Sequence, residues 1–159
     1  MKKKYIFIML IVWMGIIFMF SSQTYEDQSL THTLTVFRGT PVEQLLQGVD
    51  FYYAGREISI YAIGVEGIIE FFIRKAAHFG IFFVLGFLTY AFLRSKCDGS
   101  IMTFAVSFTF VALYACLDEF HQKLTGGRTP LLQDVVLDSF GGLCGIMALA
   151  LYFHYKRKM

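Results

Sequence analysis

The sequence predicts an all-α integral membrane protein with four transmembrane helices. Three observations carry that prediction. Of 159 residues, 56% are hydrophobic and only 16% carry charge, where a soluble domain has about 25% charged residues. The apolar residues gather into four long blocks rather than being scattered along the chain. No block alternates polar and apolar residues at period two, as a half-buried strand would. Disorder is excluded, because it requires low hydrophobicity and high net charge, and the formal charge is only +2. Three cysteines, an odd number, do not make a disulfide framework. The length allows one domain, 1–159.

The first block, Tyr5 to Phe20, runs sixteen residues without a charge after Lys2, Lys3 and Lys4. Its basic start and apolar run resemble a signal peptide. Bulky Phe18, Met19 and Phe20 occupy the exit, however, where a cleavage site needs small residues, so an uncleaved signal anchor is expected. The second block, Ala76 to Leu93, lies between Arg74-Lys75 and Arg94-Ser95-Lys96. The third is Ile101 to Leu117, and the fourth is Val135 to Phe153, followed by Lys156-Arg157-Lys158. Nineteen residues of helix, the length of the fourth block, reach about 28 Å, close to the roughly 30 Å hydrocarbon core. The shorter blocks borrow a turn from their polar flanks. Spans of about 5–22, 75–94, 101–119 and 134–154 are expected, with an outer segment of about 23–73.

Basic residues set the orientation. With both termini and the Arg94–Ser100 connection in the cytoplasm, the inside holds eight Lys/Arg and one acid, Asp98. The outside then holds six Lys/Arg and eleven acids, which matches the positive-inside bias. N-in, C-in is the expected topology. In the outer segment, Gly39-Thr40-Pro41 reads as a turn, with Pro41 opening a short helix through Leu46. Ile58 to Ile73 is apolar and interrupted by glycine, with Glu66 and Glu70 on one helical face. It is expected to lie at the outer interface as an amphipathic cap and to run into the second span.

With that topology, the uncommon polar residues fall at one outer level. Ser21, Ser22 and Gln23 end the first span, and Arg74, Lys75 and His78 begin the second. Asp118, Glu119, His121 and Gln122 end the third, and Arg128, Asp134 and Asp138 lead into the fourth. Residues three or four apart share a helix face. Arg74 and His78 therefore form one stripe, and Asp118, His121 and Gln122 a second. Asp134, Asp138, Gly141, Gly142 and Gly145 form a third, whose small residues admit a neighbouring helix closely. Ionisable residues at such depth face the bundle interior and find a partner.

Three readings of this cluster stand side by side. Arg74, Lys75, Lys123 and Arg128 could neutralise Asp118, Glu119, Asp134 and Asp138 and simply lock the bundle. Gln23, Arg74, Lys75, His78, Asp118, Glu119, His121, Gln122, Arg128, Asp134 and Asp138 could bind a lipid headgroup or cell-wall precursor lipid, because arginines beside carboxylates can exchange them for phosphate. As an enzyme, the cluster would use Asp118 or Glu119 as general base, His78 or His121 as proton shuttle, and Arg128 as anion clamp. His78 and His121 with three carboxylates have donors for a divalent ion. The segment Asp118-Glu119-Phe120-His121-Gln122 is nonetheless not a zinc-protease helix, and neither metal nor cofactor is expected. There is no Gly-x-Ser-x-Gly elbow and no phosphate-cradling glycine loop. Cys97, Cys116 and Cys144 read as small apolar fillers. Short membrane-flanking basic clusters do not support nucleic-acid binding; membrane lipids are the expected partners.

The motifs Ser21-Ser22-Gln23, Arg74-Lys75-Ala-Ala-His78-Phe79, Asp118-Glu119-Phe120-His121-Gln122 and Gly127-Arg128 followed by Gln133-Asp134-Val135-Val136, with Gly141-Gly142 and Gly145, resemble the VanZ-like family. They cover the chain from Ser21 to Gly145. The resemblance implies a multi-pass protein of the bacterial cell envelope, associated in some members with lowered sensitivity to teicoplanin. Asp138 stands where the family pattern usually has Asn. A buried Asp needs a cation, Arg74 or Arg128, or a proton.

Overall fold

The computed structural model describes residues 3–24, 26–97, 101–126 and 131–159. About 80% is helical, as a bilayer demands, because a helix satisfies its own backbone donors and acceptors. The chain runs α1 (Lys3–Ser21), α2 (Thr31–Leu34) continued by a 3-10 turn (Thr35–Phe37), α3 (Pro41–Leu46), β1 (Asp50–Tyr53), β2 (Arg56–Ser59), α4 (Ile60–Arg94), α5 (Ile101–Gly126) and α6 (Leu132–Lys158). Four of these helices, α1, α4, α5 and α6, are long and apolar enough to cross a membrane. Contacts divide the chain into two compact units, Met1–Gln23 with His78–Met159, and Thr24–Ala77.

The first unit is a helical bundle. Its core is built from Leu10 and Ile17 of α1, Phe82 and Leu85 of α4, Val111 and Ala115 of α5, and Ile146 and Leu149 of α6. Ile11, Leu113 and Leu151 are among many large apolar side chains left exposed on these helices. A patch of that size is the surface a lipid solvent covers. Since lipid tails do not drive helices together as water does, close packing and buried hydrogen bonds must do so. Both are present. The Trp13 indole donates to the Ile81 carbonyl at 2.9 Å, and the Tyr114 hydroxyl to the Met14 carbonyl at 2.9 Å. The glycine stripe of α6 meets α4: a Cβ on Gly141 would lie 2.5 Å from the Phe79 carbonyl oxygen. A Cβ on Gly86 or Gly145 would collide with the carbonyl of Gly142 or of Phe83. Here helix backbones touch, and only hydrogen fits between them.

The second unit departs from the all-helical expectation. Pro41 does open a short helix, at its N-terminus, as the sequence predicts. Beyond it, β1 and β2 pair antiparallel with Tyr53 opposite Arg56. Ala54 and Gly55, both at positive φ, make the two-residue turn between them. The hairpin packs its aromatic residues on α4: Tyr53 and Phe51 sit 5.1 Å and 5.8 Å from the Phe71 ring, and the Lys75 ammonium lies 4.5 Å over Tyr53. α4 runs from this hairpin into the second apolar block, as expected, but it starts at Ile60 and extends 35 residues. It breaks once, at Gly64, with φ 70°. A side chain there would be strained, and its Cβ would crowd the Glu66 carboxylate at 2.9 Å.

The candidate site at one end of the bundle

The end of α1, residue His78 of α4, the last turns of α5 and the first turns of α6 meet at one end of the bundle. Ser21 is buried and fastens α1 to α5. Its hydroxyl donates to the Asp118 carbonyl at 3.3 Å and lies 3.0 Å from the His121 Nδ1, while Thr125 donates to the Ser21 carbonyl at 3.0 Å. The His121 ring stacks on Phe18 with centroids 4.4 Å apart. One turn earlier, Asp118 is 6% exposed and accepts a 2.8 Å bond from the Gln122 amide, which fixes the carboxylate along its own helix. Glu119 accepts from the Leu131 backbone N–H at 2.7 Å and so ties the end of α5 to the start of α6.

Asp138 is the deepest of these acids, 1% exposed. Its Oδ2 lies 3.4 Å from the His78 Nδ1. Among the described residues, its other oxygen, Oδ1, accepts no hydrogen bond, and neither does Oε2 of Glu119. The donor atoms of His78, Asp118 and Asp138 all lie within 4.8 Å of one another. One imidazole and two carboxylates from three different helices are thus within reach of a single ligand or ion.

Of the residues expected to form the site, His78, Asp118, Glu119, His121, Gln122 and Asp138 come together here. Asp134 opens α6, partly buried, and Gln23 is exposed just past α1. Lys123 is exposed. Arg128, expected to pair with Asp134 or Asp138, lies outside the described residues. Arg74, one of the two arginines offered for Asp138, bonds the Glu70 carboxylate at 2.5 Å and the Gln28 side chain at 3.2 Å, and His78 lies beside Asp138. Two other groups escaped the sequence reading. Glu66 and Glu70, read as part of an amphipathic cap, are both buried and pair with Arg38 and Arg74. Their signal was present: two glutamates one turn apart in an apolar run need cations, and Arg74 follows Glu70 by four residues.

A family model described as VanZ/LLP1 matches residues 6–153. The chain belongs to the VanZ/LLP1 family. No curated protein and no solved structure matched it. For a VanZ/LLP1 protein with four apolar helices, a multi-pass membrane location follows. At the other end of the bundle from the acidic cluster, a cavity of about 400 Å³ is lined by Tyr90, Arg94, His154 and Arg157 among others. The two ends of this VanZ/LLP1 bundle therefore differ in sign, one rich in carboxylates and one in cations.

Proposed function

We propose that this VanZ/LLP1 protein works in the bacterial cell membrane, with both termini in the cytoplasm and the acidic cluster on the extracellular side. There it engages a polar lipid headgroup or a lipid-linked cell-wall precursor and so lowers sensitivity to a glycopeptide such as teicoplanin. The observation that carries the reading is Asp138: a fully buried carboxylate with one oxygen lacking a hydrogen bond among the described residues. A lone buried acceptor costs about 1–3 kcal/mol, more when charged. A headgroup that presents hydroxyl or ammonium donors would fill it. The test is expression in a sensitive Gram-positive host, with teicoplanin and vancomycin susceptibility measured beside Asp118→Asn and Asp138→Asn. We expect reduced teicoplanin sensitivity from the wild type only. An unchanged profile, with the protein confirmed in the membrane, removes the reading.

A second reading is supported by the same pair. His78 beside Asp138 is the arrangement of an oriented general acid–base, and Asp118 stands ready as a second carboxylate. A membrane enzyme acting on a lipid-linked substrate would alter the lipid or precursor profile of its host, whereas a binding protein would leave it unchanged.

A further inference from the structure

We propose that His78, Asp118 and Asp138 bind a divalent transition-metal ion, Zn²⁺ or Mn²⁺, through one imidazole nitrogen and two carboxylate oxygens. This goes beyond the headgroup reading and does not depend on it. The distances suit an ion. The 3.4 Å separation of His78 Nδ1 and Asp138 Oδ2 is long for a hydrogen bond, since an N–H···O bond to a carboxylate settles at about 2.7–2.9 Å. Two ligands on a tetrahedral Zn²⁺ at about 2.0–2.2 Å stand about 3.3–3.6 Å apart. The third donor, a carboxylate oxygen of Asp118, lies within 4.8 Å of both.

Asp138 also has an unmet acceptor. Asp138 is 1% exposed, and its Oδ1 accepts no hydrogen bond among the described residues. An ion beside the carboxylate would supply the missing charge. Asp118 is held in orientation. Gln122 donates to Asp118 Oδ2 at 2.8 Å, the kind of outer hydrogen bond that aims a ligating carboxylate. One imidazole with two carboxylates suits Zn²⁺ and Mn²⁺ better than Mg²⁺, which prefers oxygen and retains its water. Three protein ligands leave at least one position for water or an oxygen of another molecule.

The experiment uses the full chain in detergent, stripped with chelator, equilibrated with Zn²⁺ or Mn²⁺ alone and desalted. Metal analysis is expected to find about one ion per chain, and His78→Gln or Asp138→Asn to weaken retention by at least about tenfold, as loss of a ligand should. His32→Ala and His154→Ala, which remove imidazoles outside the cluster, are expected to change nothing. Should the cluster variants fail to accumulate, Mn²⁺ spin-echo spectroscopy of the wild type decides instead: coupling to one imidazole nitrogen is expected. No retained ion, retention equal in every folded variant, or Mn²⁺ without nitrogen coupling overturns the proposal. Because no lipid enters these measurements, their failure leaves the headgroup reading standing, and a negative susceptibility test leaves the ion site standing.

Discussion

Two groups of buried carboxylates sit in this chain, and they are treated differently. In the 24–77 unit, Glu66 pairs with Arg38 and Glu70 with Arg74, and Glu70 also accepts from the Leu30 backbone and the Ser29 hydroxyl. At the bundle end, Asp118, Glu119 and Asp138 are met by the Gln122 amide, the Leu131 backbone N–H and the His78 imidazole, and two carboxylate oxygens are left over among the described residues. The first arrangement is complete in itself, which is how a structural ion pair should look. The second leaves one oxygen each of Glu119 and Asp138 without a hydrogen bond among the described residues, which is how a site waiting for a ligand should look.

The comparison breaks most readily at Arg74. Removing it strands Glu70, whose side chain is 3% exposed, and loss of one partner of a buried pair costs about 3–5 kcal/mol. Arg74→Ala should therefore lower thermal stability in detergent sharply, and Glu70→Gln combined with Arg74→Ala should recover much of the loss. If Arg74→Ala leaves stability unchanged, the pair is not structural.

Gly145→Leu comes next. The new side chain has no way out of the α4 backbone, and overpacking of this kind costs about 1–3 kcal/mol. Because it acts through the contact beneath the cluster, it should also abolish the proposed metal retention, while leaving the pairing of Glu66 with Arg38 intact. A stable variant that retains the ion as the wild type does would show that the glycine contact does not position the site.

Asp138→Asn should give the opposite result from Arg74→Ala. In metal-free protein it removes a surplus carboxylate instead of stranding one, so stability should change by less than about 1 kcal/mol or improve. Parallel unfolding curves of the two variants check the contrast directly. A loss as large as that of Arg74→Ala would mean that Asp138 is as fully partnered as Glu70.

The smallest effect lies at Thr24, whose hydroxyl donates to Asp27 at 2.6 Å. That bond holds the Asp27 carboxyl below its ordinary range. A lowered folded value means that the contribution is present above the ordinary carboxylate range and lost as pH falls through the folded value. Acidification should therefore loosen this exposed turn first, read as faster amide exchange at Asp27. Thr24→Val, which keeps the Thr24 backbone donor to Asp27, should reduce the pH dependence, and a pH-independent amide in the wild type would count against the bond.

Much of this was legible in the sequence because a bilayer imposes contiguity. Blocks of sixteen to nineteen apolar residues admit few readings, and the helices follow them. The helical stripe of Gly141, Gly142 and Gly145 announced a close approach, and α4 supplies it. The hairpin was missed because Asp50–Tyr53 and Arg56–Ser59 are only four residues each, too short for alternation to register, although Ala54-Gly55 is a fair turn signal. The polar convergence was legible from helical spacing, but the partners were not. Charge arithmetic offered Arg74 or Arg128 for Asp138; Arg128 lies outside the described residues, and the geometry shows Arg74 on Glu70 and His78 beside Asp138. Pairing depends on the rotation of each helix about its axis, which one-dimensional spacing does not fix.

The glycine contact also has a mechanical consequence. Where backbone rests on backbone, no rotamer change can absorb displacement, so the crossing of Gly86 with Gly142 acts as a fulcrum. Asp138 precedes Gly142 by four residues, a lever arm of about 6 Å along the helix. A 10° tilt of α6 about that point, large for a packed helix, would move the carboxylate by only about 1 Å on this arm. A short arm on a hard fulcrum holds tolerances tight, and a cluster drawn from three separate helices needs just that to keep its donors in register.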